Sequence, residues 1–181
     1  MTAGPEAANT ERAPAATDTH RWPERRDDLM TPAGIGTMSG LDFIRGIVEG
    51  RHPAPPILRL MGARFVEASH GRVVIAATPS FAHYNPIGTV HGGWYGTLLD
   101  SALSCAVQTA LPRGRGYTTL EYKVNMLRAA SEDTGELRTI GEIDHVGRST
   151  GIAHGRIEGA DGKLYATGSA TCLVVALPTD G

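Results

Sequence analysis

Between Gly92 and about Leu111 runs GGWYGTLLDSALSCAVQTAL, closed by Pro112 and Gly114. Its length and its apolar and small side chains favour helix over strand. A helix so poor in charge must be covered by other elements, and the flanking sequence supplies them. In YTTLEYKVNML, Leu120, Tyr122, Val124 and Met126 alternate with Thr119, Glu121, Lys123 and Asn125, the pattern of a strand with one buried face. ELRTIGEIDHV, STGIAHGRIE and KLYATGSATCLVVAL read as three more strands, with turns at Val146-Gly147-Arg148 and GADGK.

Upstream, Ser39–Gly50 reads as a short amphipathic helix. Ser39 caps it, Asp42 follows three residues on, and Leu41, Ile44, Ile47 and Val48 form the stripe. Two strand-like runs, Leu58–Ala68 and Arg72–Thr78, flank Ser69-His70-Gly71 as a hairpin, and HYNPIG follows as a loop. The order is helix, hairpin, long helix and a four-strand meander. Without regular βαβ alternation this predicts an α+β fold, a mostly antiparallel sheet curled around the long helix.

The domain is expected over 39–177. Met1–Arg21 contains no Val, Ile, Leu, Phe, Tyr or Trp, so it cannot bury enough apolar surface to offset its ordering entropy. Residues 1–38 are expected to form a disordered, inert tail, with no apolar h-region of a secretory signal. Seventeen Lys and Arg against nineteen Asp and Glu, with no basic run, argue against nucleic acid as a partner. No stretch reads as a membrane span. Cys105 and Cys172 lie in apolar surroundings far apart, as buried thiols do in a reducing cytoplasm.

On a helical wheel Leu98, Leu99, Ala102, Leu103, Ala106 and Ala110 form the apolar body. Gly93, Gly96, Thr97, Asp100 and Ser104 share a stripe of small and polar residues. A single Asp in such a helix is usually a solvated or capped carboxylate. Here its small neighbours leave room beside it, which makes it a candidate site. His91-Gly92-Gly93 sits where the helix begins, with unpartnered N–H groups and partial positive charge. The glycines either admit an anion or oxyanion there or permit tight helix-to-sheet packing, and spacing leaves both open. Gly92 and Asp100 lie about 12 Å apart along the axis, too far to act on one carbonyl within one chain. Two antiparallel helices would bring Gly92 of one chain to Asp100 of another, so the site is expected across a symmetric dimer.

HYNPIGTVHGGWYGTLLDSALSCAV, followed by GYTTLEYKVNMLR and GKLYATGSATCLVV, resembles the PaaI-like hotdog-fold acyl-CoA thioesterases. The likeness runs from about Gly40 to Val175. It implies a hotdog fold assembled as homodimers, often dimers of dimers, acting on acyl-CoA without a cofactor, metal or membrane. By resemblance Asp100 is the catalytic carboxylate, general base or nucleophile, and Gly92 the N–H that polarises the thioester carbonyl. Asn85 would orient water or that carbonyl, Ser104 support the carboxylate one turn on, and His91 position the site. Gly93 and, in the strand turn that meets the coenzyme A arm, Arg148, Ser149 and Thr150 are the implied substrate-binding positions.

The chemistry is consistent with so short a parts list. A thiol of pKa ~8.5 leaves as thiolate with little acid assistance, so one base and an oxyanion hole suffice. No GXSXG occurs. The hydratase reading needs an Asp-His pair at the helix start, which this chain lacks, and a non-catalytic acyl-CoA-binding protein is the alternative. The histidines offer no H-x-x-x-H spacing for zinc, and Cys105 has no neighbouring base that would make it a nucleophile. Trp94 and Tyr95 read as core.

Overall fold

A computed structural model describes residues 19–179 of the chain. Four helices, α1 (Pro32–Gly36), α2 (Gly40–Val48), α3 (Pro56–Leu60) and α4 (Gly92–Thr109), accompany six strands. The strands are β1 (Ala63–Ser69), β2 (Arg72–Ala77), β3 (Arg115–Met126), β4 (Leu137–Val146), β5 (Thr150–Gly159) and β6 (Leu164–Ala176). They form one antiparallel sheet in the order β1-β2-β4-β5-β6-β3. One face wraps α4, burying Leu98, Leu99, Ala102, Leu103 and Val107 against Ile75, Leu137, Ala153 and Ala170. This is the α+β hotdog arrangement.

Glycine lets the helix approach the sheet so closely. A Cβ on Gly141 of β4 would lie 2.4 Å from the Ala102 carbonyl oxygen, and one on Gly40 would lie 1.7 Å from that of Gln108. The second contact seats the start of α2 beside the end of α4, where Gly40 N–H also donates to Leu111 O at 3.0 Å. Ser39 caps α2 as expected, accepting from Asp42 N–H at 3.2 Å while its hydroxyl donates to the Asp42 carboxylate. The β1–β2 hairpin turns at Gly71, whose φ of 74° suits glycine. Its N–H donates to Thr109 Oγ1 at 2.7 Å, fixing the hairpin to the end of α4.

Three expectations are corrected. Residues 58–60 belong to α3, begun by Pro55 and Pro56; β1 starts only after Gly62. The last four strands are not a simple meander: the chain leaves β3 at one edge of the sheet and crosses to place β4 beside β2. Most consequentially, Leu120, Tyr122 and Met126 are 59%, 47% and 57% exposed. β3 is the edge strand, and a bulge between Thr119 and Glu121 shifts the parity of the alternation. Thr119 therefore opposes Cys172, and Tyr122 opposes Ala170, on the face that looks at α4, while Leu120 is displaced from it.

Of the expected tail, residues 1–18 lie outside the described residues, whereas 19–38 are built into the domain. Ala54 N–H donates to Arg21 O at 2.9 Å, and Gly114 N–H donates to Gly36 O at 3.0 Å. Thr31 caps α1, accepting from Gly34 N–H at 3.0 Å.

Candidate active site

The four residues Gly92, Gly96, Asp100 and Ser104 recur every fourth position and lie along β3. Met126 covers Gly92, with its Sδ 2.9 Å from where a Cβ would sit, and the Tyr122 hydroxyl lies 3.3 Å from the same point on Gly96. The small residues thus serve close packing at Gly96, and the cover over Gly92 is a flexible thioether.

Asp100 is partly exposed, and Thr119 Oγ1 donates to its Oδ1 at 2.9 Å. Thr119 was missed by the sequence reading, which placed it on the outer polar face; the bulge turns it inward. Ser104 does not reach the carboxylate. Its hydroxyl donates to the Asp100 main-chain carbonyl at 2.6 Å and meets the Tyr117 hydroxyl at 3.0 Å. Of the two hydroxyls, that of Thr119 contacts the Asp100 carboxylate, while that of Ser104 links the helix to Tyr117. Cys105, the next residue, is buried with Sγ 3.6 Å from the Tyr117 oxygen, and burial pushes its thiol up to about 12, away from nucleophilic use. Burial also raises Tyr117 and Cys172 above their ordinary values. Both cysteines are free and buried.

At the other end of α4, His91 is the N-cap, and its Nδ1 accepts from Gly93 N–H at 2.8 Å. That bond uses the Gly93 donor and leaves Gly92 N–H, the first of the helix, with no preceding turn to accept it. The loop before it is held by a buried histidine, a residue the sequence reading weighed only as a metal ligand. His83 Nδ1 accepts from Ser80 N–H at 3.0 Å, so its Nε2–H donates to Leu60 O at 2.9 Å. His91 N–H in turn donates to His83 O at 2.8 Å.

Asn85 is occupied within that loop. Its Oδ1 accepts from Ile87 and Thr89 N–H at 3.1 and 3.2 Å, and its Nδ2 donates to Thr89 Oγ1 at 2.9 Å. The amide shapes the turn that leads into His-Gly-Gly. Trp94 and Tyr95 are core residues, donating to Met61 O at 2.9 Å and Arg128 O at 3.3 Å.

A cavity of about 380 Å³ opens beside His91, Gly93 and Thr97, bounded by His83 and Trp94. A second, of about 310 Å³, lies beyond the Tyr117 end of the stripe. The turn of Arg148, Ser149 and Thr150 is exposed two strands from β3, level with Thr118 through Leu173. It is held by Arg115, which donates to Arg148 O, and by Val174 N–H, which donates to Ser149 O at 2.9 Å. The structure thus brings Asp100 together with Thr119, and His91 with Gly92 and Gly93, but leaves these halves at opposite ends of the stripe. Among the described residues no group of three or more His, Cys, Asp or Glu side chains is placed to hold a metal ion, and no helix is long and apolar enough to cross a membrane.

Comparison with known proteins follows the same region. A sequence model described as the thioesterase superfamily matches residues 87–166. A proposed esterase of Pseudomonas aeruginosa, PA1618, is 31% identical over 120 residues, 65% of this chain and 81% of that protein. The crystal structure of a proposed thioesterase from Ralstonia eutropha, described as phenylacetic acid degradation-related, is 28% identical with a TM-score of 0.65. The match covers 72% of this chain and 98% of that one. A hypothetical thioesterase of Streptococcus pneumoniae, solved with coenzyme A, is 26% identical with a TM-score of 0.59, covering 65% of this chain and 88% of that one.

Proposed function

The chain belongs to the thioesterase superfamily, as a thioester hydrolase with a PaaI-like hotdog fold, and we propose that it hydrolyses acyl-CoA with Asp100 as general base. The observation that carries this reading is the Asp100 carboxylate, partly exposed in mid-helix and held by the Thr119 hydroxyl at 2.9 Å. A carboxylate fixed by one donor keeps lone pairs free to take a proton from water. Gly92 N–H, at the positive end of α4, meets the carbonyl oxygen as charge develops on it. Because Gly92 and Asp100 are about 12 Å apart along one helix, each site takes Gly92 from one subunit and Asp100 from its partner. The apolar edge strand β3 supports that pairing. Arg148, Ser149 and Thr150, exposed at the turn into β5, meet the coenzyme A arm; a relative of this chain from S. pneumoniae was solved with coenzyme A. The thiolate leaves without a protein acid.

The alternative, an acyl-CoA-binding protein without chemistry, makes the opposite forecast for one substitution. Asp100→Asn keeps the size and removes the base. Thiol release from a panel of acyl-CoA thioesters should fall by at least about a hundredfold, with binding retained, as general-base losses of ~10²–10⁴ imply. Wild-type protein that binds acyl-CoA yet releases no thiol would establish the alternative instead.

A further inference from the structure

The 310 Å³ cavity has a lining unlike that at the helix start. Leu29, Met30 and Ile35 of the N-terminal segment and Phe43 of α2 form one side, and Cys105 and Tyr117 form the side toward α4 and β3. No charged side chain lines it, and its two polar groups are weak: the Tyr117 hydroxyl is engaged with Ser104, and the Cys105 thiol stays protonated.

Its position relates it to the site just described. Cys105 lies five residues after Asp100 on α4, and Tyr117 lies next to Thr119 along the inner face of β3. The cavity wall therefore begins about 7–8 Å along the helix from Asp100, roughly one and a half turns on. A carbonyl beside Asp100 whose substituent ran toward the C-terminal end of α4 would meet this wall. Residues 1–18 are a poor alternative occupant, since they contain no Val, Ile, Leu, Phe, Tyr or Trp to fill apolar space.

We propose, on the reading of the chain as an acyl-CoA hydrolase, that this cavity receives the apolar acyl group and that Leu29 and Met30 set its length limit. A dry apolar cavity of ~150 Å³ suffices for a benzene ring. At about 310 Å³ this one takes an aryl group with its linker or a medium-length alkyl chain. It rejects acyl groups ending in a carboxylate, which would lose their hydration without a counter-charge. Both limiting residues lie before the stretch, 87–166, that the superfamily model matches.

The test uses non-hydrolysable thioether analogues of acyl-CoA with alkyl chains of increasing length, a phenylacetyl-type analogue and a succinyl-type analogue. Binding is measured by calorimetry on the wild type, Leu29→Trp, and a Leu29→Ala, Met30→Ala double variant. Leu29 is 41% exposed, so Trp there can be introduced without opening the core, and thermal melts check the fold of each protein. Wild-type affinity should rise roughly threefold to fourfold per methylene and then level off once the cavity is full. The plateau should come at shorter chains in Leu29→Trp and at longer chains in the double variant, with the succinyl analogue weakest. A plateau at the same length in all three proteins, or a succinyl analogue that binds as well as butyl, overturns the assignment. Thiol release from the matching thioesters, followed in parallel, separates the two claims. Length-graded binding without hydrolysis sinks the hydrolase and keeps the cavity; hydrolysis with an unmoved length profile does the reverse.

Discussion

Thr119 shows how one backbone irregularity decides a site. The strict alternation of YTTLEYKVNML groups Thr119 with Glu121 and Lys123, and any reading by period two sends it to solvent. The bulge at Thr119/Glu121 breaks that period, and nothing in side-chain composition announces where a bulge falls. Asp100, Gly92 and His91 stand out as candidates in the sequence because a carboxylate in an apolar helix and glycines at a helix start are local anomalies. The partners of Ser104 and Asn85 were not, because a hydrogen bond depends on a rotamer and on a neighbour distant in sequence. The bond from Thr119 to a carboxylate is of the charge-assisted kind, with removal costing about 1.5–3 kcal/mol. Thr119→Val should therefore lower kcat by roughly tenfold or more, with little change in KM. Thr119→Ser, which restores the hydroxyl, should recover most of the loss. A Val variant with wild-type kcat would remove Thr119 from the mechanism, and a loss that Ser does not rescue would mark it as packing alone.

At the level of elements, α2 was readable from periodicity and capping, α4 from its length and small residues, and all six strands from their patterns, with β1 drawn five residues too early. The register that lets α4 lie in the sheet depends on glycines whose neighbours no sequence pattern names. Gly141 sits in the middle of β4, where a strand ordinarily prefers a side chain to pack. The Ala102 carbonyl, 2.4 Å from the missing Cβ, is backbone and cannot rotate away. Gly141→Ala would push α4 off the sheet along its buried length, an overpacking error of about 3 kcal/mol or more. For a chain of this size that is a fall in Tm of roughly 6–12 °C. A calorimetric scan giving the wild-type Tm would show that helix and sheet do not meet as closely as described. The same spacing brings the candidate site together, because only a helix held this near the sheet can place Asp100 within reach of a threonine on β3.

At the scale of the whole molecule, the proposed site falls into two halves, Gly92 and Asp100, that one helix holds about 12 Å apart. β3 lies at the edge of the sheet with Leu120, Tyr122, Met126 and Leu127 exposed, a row of apolar side chains beside unpaired backbone donors. Such an edge invites pairing with a second copy. The proposed sharing of sites can be tested apart from mere association. Gly92→Pro removes the first N–H of α4 while keeping the helix, since proline is favoured at the first helical position. His91, at φ −65° and ψ 140°, already has the conformation that a residue before proline requires. A Cβ added at Gly92 meets only the movable end of Met126. Alone, Gly92→Pro should lose about 10²–10³ in kcat as an oxyanion donor is lost, and Asp100→Asn should lose activity with its base. Coexpressed in equal amounts, the two variants should form mixed dimers for half of all pairs. In each mixed dimer one site joins an intact Gly92 to an intact Asp100, and the other carries both defects. Activity should return to roughly a quarter of the wild type, the signature of a symmetric interface that completes its sites in trans. If each subunit worked alone, both variants would stay inactive in the mixture whatever dimers formed, and no activity would return.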